Sequence, residues 1–179
     1  MLPIVLVGVP GAGKTTVGKL LAKELGVDFF DSDHVIEERA GKSVSDIFTQ
    51  DGEATFRRLE HEVIVELLDT KVGVLAVGGG SLGNELTRAA IGQVNAVWLV
   101  AGLSQAVDRV GMNRNRPLLL GNVRGQLADL MAAREPLYRE VAKLTVDTSK
   151  LTAAQVVTEV NAFEPTIILK AVLLIIVLI

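Results

Sequence analysis

Short apolar runs alternate with longer amphipathic stretches along most of this chain. Apolar and β-branched runs predict five strands, at residues 3–7, 27–31, 72–77, 94–100 and 144–147. Between them, apolar positions spaced for one helix face predict helices at residues 14–25, 33–40, 44–48, 53–68, 104–110, 126–141 and 152–163. Strands that alternate with helices are typical of an α/β fold, so we expect a five-stranded parallel sheet.

A glycine-rich segment joins the first predicted strand to the first predicted helix. Residues 8–15 match the pattern G-x-x-x-x-G-K-[ST] at every fixed position. The glycines let successive backbone N–H groups turn inward around a phosphate, and the helix adds the positive end of its dipole. In this pattern Lys14 reaches the β- and γ-phosphates, and the Thr15 hydroxyl ligates Mg²⁺. A glycine turn that fits by chance is the alternative, and the flanking strand and helix disfavour it.

The composition argues against several classes of protein. The formal net charge of −3 gives no reason to expect nucleic-acid binding, and the absence of cysteine excludes disulfides and thiolate metal sites. With only two histidines, His34 and His61, any metal must rely on oxygen ligands, as Mg²⁺ does. A GTPase would carry a guanine-reading N-K-x-D, which this sequence lacks. The D-x-x-G at residues 108–111 falls at a predicted helix end, and we attribute it to chance.

Two aspartates follow the second predicted strand at its carboxyl end, where open α/β sheets place their ligands. Asp31 and Asp33 alternate along the chain, so both side chains can face one cleft if the backbone stays extended. One carboxylate can hold Mg²⁺ through water, while the other accepts a hydroxyl proton and orients that hydroxyl toward the γ-phosphate. A plain N-cap role for Asp33 at the next helix is the alternative.

Other residues allow either a binding role or an ordinary structural one. Arg57 has a glutamate four residues before it and another three residues after it, so a surface ion pair competes with ligand binding. Phe56 fits core packing at least as well as a pocket wall, and a solvated Arg134 is the alternative for that residue. The three glycines at residues 78–80 cost chain entropy directly after a buried strand, which favours a close backbone approach to a ligand.

Six segments, in this order and at this spacing, resemble the shikimate kinase family. They are residues 8–15, Asp31-Ser32-Asp33, Phe56-Arg57-Arg58-Leu59-Glu60, Gly78-Gly79-Gly80, Arg116-Pro117-Leu118 and Arg134-Glu135-Pro136-Leu137-Tyr138. Each segment is weak evidence alone, whereas the ordered set is specific and covers about residues 3–160. The resemblance implies a three-layer αβα P-loop kinase, like that of nucleoside monophosphate kinases, with acceptor-binding helices and a mobile lid loop. It implies phosphorylation of shikimate by ATP at the 3-hydroxyl, on the pathway to chorismate and aromatic amino acids.

The resemblance also assigns roles to residues. Catalysis would fall to Lys14, Asp33 and Arg116, with Asp33 as the base and Arg116 in the lid. Nucleotide contacts would come from Gly11, Ala12, Gly13, Lys14, Thr15, Thr16, Arg109, Arg116 and Lys150. Shikimate contacts would come from Asp33, Phe48, Phe56, Arg57, Glu60, Gly78, Gly79, Gly80 and Arg134. Mg²⁺ would be held by Thr15 and, through water, by Asp31. Lys150 departs from the arginine that is commoner in the family.

The same segments predict the domain organisation. We expect one domain at residues 1–164, with a core at 1–32 and 71–110, an acceptor-binding region at 33–70 and a lid at 111–125. The apolar N-terminus has no basic region before it, so it is interpreted as a strand and not as a signal peptide. Residues 165–179 form an apolar tail of unknown role, too short for a membrane span of about 20 residues. We expect a cytoplasmic monomer that binds neither nucleic acid nor membrane.

Two other functions compete with this one. A related kinase for gluconate or a nucleoside monophosphate would share the phosphate loop. A nucleotide acceptor needs contacts to a second base and phosphate, and one acid with two arginines fits a hydroxylated carboxylate better. A nucleotide-dependent switch protein needs no acceptor pocket, and Asp33, Arg57 and Arg134 together argue against it.

Overall fold

The computed structural model describes residues 3–112 and 123–163 of the chain. Five strands pair in parallel in the order β2-β3-β1-β4-β5. They are β1 (Ile4–Val7), β2 (Asp28–Asp31), β3 (Gly73–Ala76), β4 (Asn95–Val100) and β5 (Leu144–Asp147). The α-helices are α1 (Lys14–Leu25), α2 (Ser32–Ala40), α3 (Val44–Asp46), α4 (Glu53–Thr70), α5 (Glu85–Gly92), α6 (Leu103–Met112), α7 (Val123–Val141) and α8 (Ala153–Phe163). The predicted α/β class and its five-stranded parallel sheet are confirmed.

Strand β1 lies at the centre of the sheet, between β3 and β4. Ile4 is opposite Val74 on one side and Asn95 on the other. All four residues of β1 are buried, as expected for a parallel strand with helices on both faces. Helices α1 and α8 pack on each other, and α5 contacts both α4 and α7, so two groups of helices flank the sheet.

The order of the strands reverses between β1 and β3, because the connections that leave these two strands lead to opposite sides of the sheet. The connection that leaves β1 leads to β2 on one side, whereas the connection that leaves β3 passes beyond β1 to β4. Such a reversal opens a crevice at the carboxyl ends of the two strands, where open α/β proteins bind ligands. The two glycine segments, residues 8–15 and 78–80, directly follow these strands and therefore border the crevice.

Helix α1 packs closely on the sheet, which fixes the position of its N-terminus. Val17 and Leu21 lie one turn apart and are both buried in the core. A Cβ at Gly18 would come within 2.4 Å of the Phe29 ring, so only glycine allows α1 to approach β2 this closely. Gly26, at a φ of 66°, ends the helix in the left-handed conformation that glycine adopts most easily.

Two predicted helices after β2 differ in their bounds. Helix α2 begins at Ser32 because the Asp31 carboxylate caps it, accepting a hydrogen bond of 3.2 Å from the Asp33 backbone N–H. The alternative that made Asp33 the N-cap is therefore wrong. The predicted helix at residues 44–48 is one turn of α3 followed by a π-helical turn, Ile47–Asp51.

Helix α5 was not predicted from the sequence. It follows a 3₁₀ turn at Ser81–Gly83, and Asn84 caps it by accepting hydrogen bonds from the N–H groups of Leu86 and Thr87. The helix has only eight residues, so its apolar periodicity is short. Asn84 was the local signal that marked its start.

Helices extend into both ends of the segment predicted as a lid, residues 111–125, and the lid itself stays a prediction. Helix α6 continues to Met112 and helix α7 already begins at Val123. Arg116 and the apolar tail at 165–179 lie outside the described residues. Within the described ranges, no helix combines the length and apolar character that crossing a membrane requires.

Candidate functional site

The loop between β1 and α1 curls around a cleft lined by its own backbone. Gly8, Gly11 and Gly13 have φ angles of 145°, 79° and 93°, which L side chains rarely adopt. The Lys14 ammonium donates hydrogen bonds to the carbonyl oxygens of Gly8 at 2.7 Å and Val9 at 3.1 Å. Lys14 therefore lies folded over the loop, beside the first N–H groups of α1.

A hydroxyl and a carboxylate lie side by side at the edge of this cleft. The Thr15 hydroxyl donates to Asp31 Oδ2 at 3.0 Å. Mg²⁺ prefers a few protein oxygens and completes its shell with water and phosphate, so this pair fits such a site. In the described part of the chain no cluster of three or more His, Cys, Asp and Glu could hold a metal alone.

The three glycines after β3 are crowded by side chains of the site itself. A Cβ at Gly78 would lie 2.5 Å from Glu60 Oε1 and 2.9 Å from Asp33 Oδ1. A Cβ at Gly80 would lie 2.7 Å from one Arg57 guanidinium nitrogen and 3.1 Å from one of Arg134. The sequence predicted that these glycines allow close backbone approach to a ligand. The structure shows that charged side chains lie equally close, and the ligand contact stays a prediction.

Arg57 is held on helix α4 by two carboxylates. Its guanidinium contacts Glu60 Oε2 at 2.6 Å and Glu53 Oε1 at 3.2 Å. The ion pairs predicted as an alternative thus exist, but Glu60 is buried, so one of them is not a surface pair. The guanidinium also lies over the rings of Phe56 at 5.2 Å and Phe48 at 5.8 Å, and it lines a cavity.

Glu60 is a buried carboxylate whose pKa is strongly shifted by its surroundings. Burial raises its pKa to about 7, and the Asp33 charge adds to the rise, while the charges of Arg57 and Arg134 oppose it. No described residue gives Glu60 Oε1 a hydrogen bond. Glu60 therefore combines a short contact to Arg57 with an oxygen that has no partner next to Gly78.

Helix α7 lines another part of the cavity that Arg57 lines, which is called the acceptor cavity below. Arg134, Leu137 and Tyr138 line it together with Gly79 and Gly80. The buried Tyr138 hydroxyl donates to the carbonyl oxygen of Gly79 at 2.6 Å. Burial raises the pKa of Tyr138 to about 12, and electrostatic attraction and hydrogen bonding from Arg134 oppose the rise. The phenol is therefore a donor at any physiological pH.

Two polar residues at the site had no role in the sequence interpretation. Ser32, between the two aspartates, is fully buried and accepts a hydrogen bond of 3.1 Å from the Gly78 N–H. Tyr138 lies one helical turn after Arg134, and its place in the segment that resembles the family gave it no role.

A third cavity adjoins the phosphate loop on its far side. Its walls are Ala12, Gly13, Thr16, Val17, Arg109, Thr148, Leu151, Ala153 and Val156. Arg109 donates a hydrogen bond of 3.0 Å to the Gly11 carbonyl oxygen, so it reaches both this cavity and the loop. Lys150 is exposed and is not among the residues that line the cavity.

Gly79 lies at the boundary between the phosphate cleft and the acceptor cavity and lines both. The cleft is lined by Gly11, Gly13, Lys14, Thr15, Thr16, Asp31, Asp33, Ala76, Val77, Gly78, Gly79 and Arg109. Arg57 and Arg134 line the neighbouring cavity. The structure thus brings the two guanidinium groups together at Gly80 and places Asp33 beside Gly78 in the phosphate cleft.

Sequence comparisons identify relatives along nearly the whole described chain. A family model for shikimate kinase matches residues 10–163. The chain is 53% identical over 148 residues to a shikimate kinase of Thermobifida fusca, covering 83% of this chain and 86% of that protein. It is 48% identical over 163 residues to a shikimate kinase of Salinispora arenicola, covering 90% and 98%.

Solved structures agree with the sequence relatives. A shikimate kinase from Acinetobacter baumannii, solved in complex with shikimate, superposes with a TM-score of 0.89 at 39% identity, covering 93% of this chain and 94% of that one. A gluconokinase from Sinorhizobium meliloti gives a TM-score of 0.55 at 20% identity, which shows a shared fold and nothing more. The family model spans most of the chain and these relatives are about half identical to it, so the chain belongs to the shikimate kinase family.

Proposed function

We propose that this protein transfers the γ-phosphate of ATP to the 3-hydroxyl of shikimate, giving shikimate 3-phosphate and ADP. One observation carries the proposal. Two guanidinium groups, from Arg57 and Arg134, converge on Gly80 in a cavity that shares Gly79 with the phosphate cleft. An acceptor held there by its carboxylate would extend its hydroxyls past Gly79 toward Asp33.

The phosphate loop and Lys14 hold the donor. Backbone N–H groups and the start of α1 offer hydrogen bonds and a positive potential to the phosphates. Lys14 donates to the Gly8 and Val9 carbonyl oxygens and lines the cleft in which the phosphates would lie. Arg109 would contact the adenine side, where it already bridges two cavities. Lys150 is the least supported of the proposed nucleotide contacts, because it does not line the cavity.

Thr15 and Asp31 would hold Mg²⁺, Thr15 directly and Asp31 through water. Their oxygens are 3.0 Å apart, and the Asp31 carboxylate also caps α2, which restricts its rotation. Mg²⁺ bound there would supply positive charge against the β- and γ-phosphates. The protein's part is to present two oxygens at the mouth of the phosphate loop.

Asp33 would orient the attacking hydroxyl and accept its proton. Its carboxylate faces Gly78 at the first turn of α2, within the phosphate cleft. Arg57 and Arg134 would fix the acceptor carboxylate with charge-assisted hydrogen bonds. Glu60 would hold the Arg57 guanidinium, while Phe48 and Phe56 pack beneath it. We assign Arg116 to the transferred phosphate, by family resemblance.

The alternative acceptors are less well supported. A nucleoside monophosphate would need a site for a second base and phosphate, whereas the acceptor cavity offers two guanidinium groups beside backbone N–H groups. The gluconokinase likeness extends to the fold alone. A cytoplasmic monomer that binds no nucleic acid, and the division into core, acceptor-binding region and lid, stay predictions.

Acceptor-dependent ADP release tests the proposal. ADP release by purified protein with ATP and Mg²⁺ is measured in the presence of shikimate, gluconate or nucleoside monophosphates, and without an acceptor. We expect strong stimulation by shikimate alone, and mass spectrometry should show one added phosphate on the acceptor. Stimulation by another acceptor, with none by shikimate, would sink the proposal and reassign Arg57 and Arg134. Omitting Mg²⁺ in the presence of a chelator should abolish turnover.

A further inference from the structure

One hydrogen bond to the glycine segment comes from a residue with no assigned role. The Tyr138 hydroxyl donates to the Gly79 carbonyl oxygen across a distance of 2.6 Å. Gly79 is the residue shared by the phosphate cleft and the acceptor cavity. A Cβ at Gly79 would lie 3.0 Å from Pro10 Cδ, so the segment is also packed against the phosphate loop.

The hydrogen bond fixes the orientation of a peptide plane. In a trans peptide the carbonyl of one residue and the N–H of the next point in opposite directions. Holding the Gly79 carbonyl on Tyr138 therefore turns the Gly80 N–H away from the phenol. Among the described residues, none accepts a hydrogen bond from the N–H of Gly79 or Gly80. These donors remain available where Arg57 and Arg134 converge.

Tyr138 is itself held rigidly. Its side chain is buried, and its ring stacks on Trp98 of β4 at an interplanar angle of 27°, with the centroids 5.9 Å apart. The Arg139 guanidinium also lies over the Trp98 ring, 5.6 Å from its centroid. A phenol anchored to the sheet in this way keeps its hydroxyl at one place, as a positioning group must.

We propose that Tyr138 is a positioning residue for the acceptor carboxylate, which it reaches through the Gly79–Gly80 peptide and through Arg134 on its own helix. The inference rests on the proposed function. One phenol would thus align two kinds of donor, a backbone N–H and a guanidinium, against the same anionic group. A tyrosine that served packing alone would need its ring and not its hydroxyl.

Tyr138→Phe removes the hydroxyl and keeps the ring, so it tests the role of the hydroxyl alone. We expect the KM for shikimate to rise about tenfold, the scale of losing one buried hydrogen bond and leaving the Gly79 carbonyl without its donor. The KM for ATP and kcat should each change by less than about threefold, because no group that touches the phosphates is removed. Shikimate should also raise the Tm of Tyr138→Phe less than that of the wild type, at equal concentration.

Thr87→Val is the matched control. Thr87 is buried, its hydroxyl lies 2.9 Å from His61 Nδ1, and it belongs to α5, away from Gly79. It should lower Tm as a buried hydroxyl loss does and leave the KM for shikimate unchanged. An unchanged shikimate KM in Tyr138→Phe, or equal rises in both KM values, overturns the inference while the proposed function stands. A wild type that shikimate does not stimulate overturns the proposed function, and the inference with it.

Discussion

The nucleotide side and the acceptor side of this site are built in different ways. Residues 8–15 form the phosphate loop as one continuous segment whose donors are backbone N–H groups. The acceptor side is assembled from side chains on α2, α4 and α7 around the glycines that follow β3. A continuous backbone loop is set by its own φ angles, whereas a dispersed set of side chains depends on how three helices pack.

This difference predicts separable kinetic effects. Changes on the acceptor side should alter the KM for shikimate and leave the KM for ATP nearly intact. Changes at the nucleotide edge should do the opposite. Substitutions of Asp33 belong to neither class, because this residue lines the phosphate cleft and also faces the acceptor side at Gly78.

The largest effect is expected for Asp33→Asn. The amide cannot accept the hydroxyl proton, and general base catalysis contributes about 10²- to 10⁴-fold, so kcat should fall by about 10³. The KM for ATP should remain within about threefold, since Lys14 and Thr15 are unchanged. Steady-state kinetics with both substrates provide the measurement.

Asp28→Asn serves as the control for Asp33→Asn. Asp28 is exposed at the opposite end of β2, so its substitution should leave kcat and both KM values unchanged. A kcat within a few-fold of the wild type for Asp33→Asn would show that Asp33 is not the base.

Gly80→Ala tests whether the acceptor side depends on close packing. The added Cβ would lie 2.7 Å from an Arg57 nitrogen and 3.1 Å from one of Arg134, so both guanidinium groups must shift. We expect the KM for shikimate to rise about 10- to 100-fold, the range for losing charge-assisted hydrogen bonds, with little change in the KM for ATP.

Gly92→Ala is the control for Gly80→Ala, because nothing lies within 4 Å of a Cβ at the end of α5. If Gly80→Ala raised both KM values together, the two sides would not be separable and the comparison would fail.

The same contrast explains what the sequence could predict. The strand, glycine loop and helix at residues 4–25 were predicted from the sequence, because a local pattern defines this geometry. The three inner strands β1, β3 and β4 were predicted from apolar runs because a parallel sheet buries both faces of such strands. The edge strands β2 and β5 are partly exposed. The short helix α5 was missed, since eight residues give little periodicity.

The acceptor side could be predicted only through family resemblance. Arg57 and Arg134 are 77 positions apart in the sequence, and no local pattern indicates that they meet at Gly80. The role of Asp31 as N-cap was not foreseen, because a cap and a metal ligand use the same carboxylate chemistry. Tyr138 was missed because its contact to Gly79 exists only after α7 has packed on the sheet.

Glu60→Gln should remove a pH dependence from the acceptor side. Glu60, with a pKa of about 7, faces Arg57, Asp33 and Arg134. Protonation removes a negative charge that competes with the acceptor carboxylate for Arg57. In the wild type we expect the KM for shikimate to fall several-fold from about pH 8 to about pH 6. Glu60→Gln should flatten this profile, and an unchanged slope would exclude Glu60 as its source.

The same ionisation affects stability. The folded pKa of Glu60 is raised above the unfolded value of 4.5, so its contribution is present below that pH and is lost as pH rises through about 7. The loss is on the order of 3 kcal/mol from the size of the shift. Denaturant unfolding at several pH values should show a smaller decline for Glu60→Gln than for the wild type.

The smallest effect is expected for Arg109→Ala, at the nucleotide edge. Arg109 is exposed at the end of α6, and in the described residues its hydrogen bond goes to the Gly11 carbonyl. Stacking of an exposed guanidinium on adenine is worth about 0.5–1 kcal/mol, so the KM for ATP should rise about two- to fivefold. The KM for shikimate should stay constant. Arg58→Ala, which removes an exposed arginine paired with Glu62, is the control. A larger change in the shikimate KM than in the ATP KM would break the separation between the two sides, because Arg109 lines the phosphate cleft and the cavity beside Thr148.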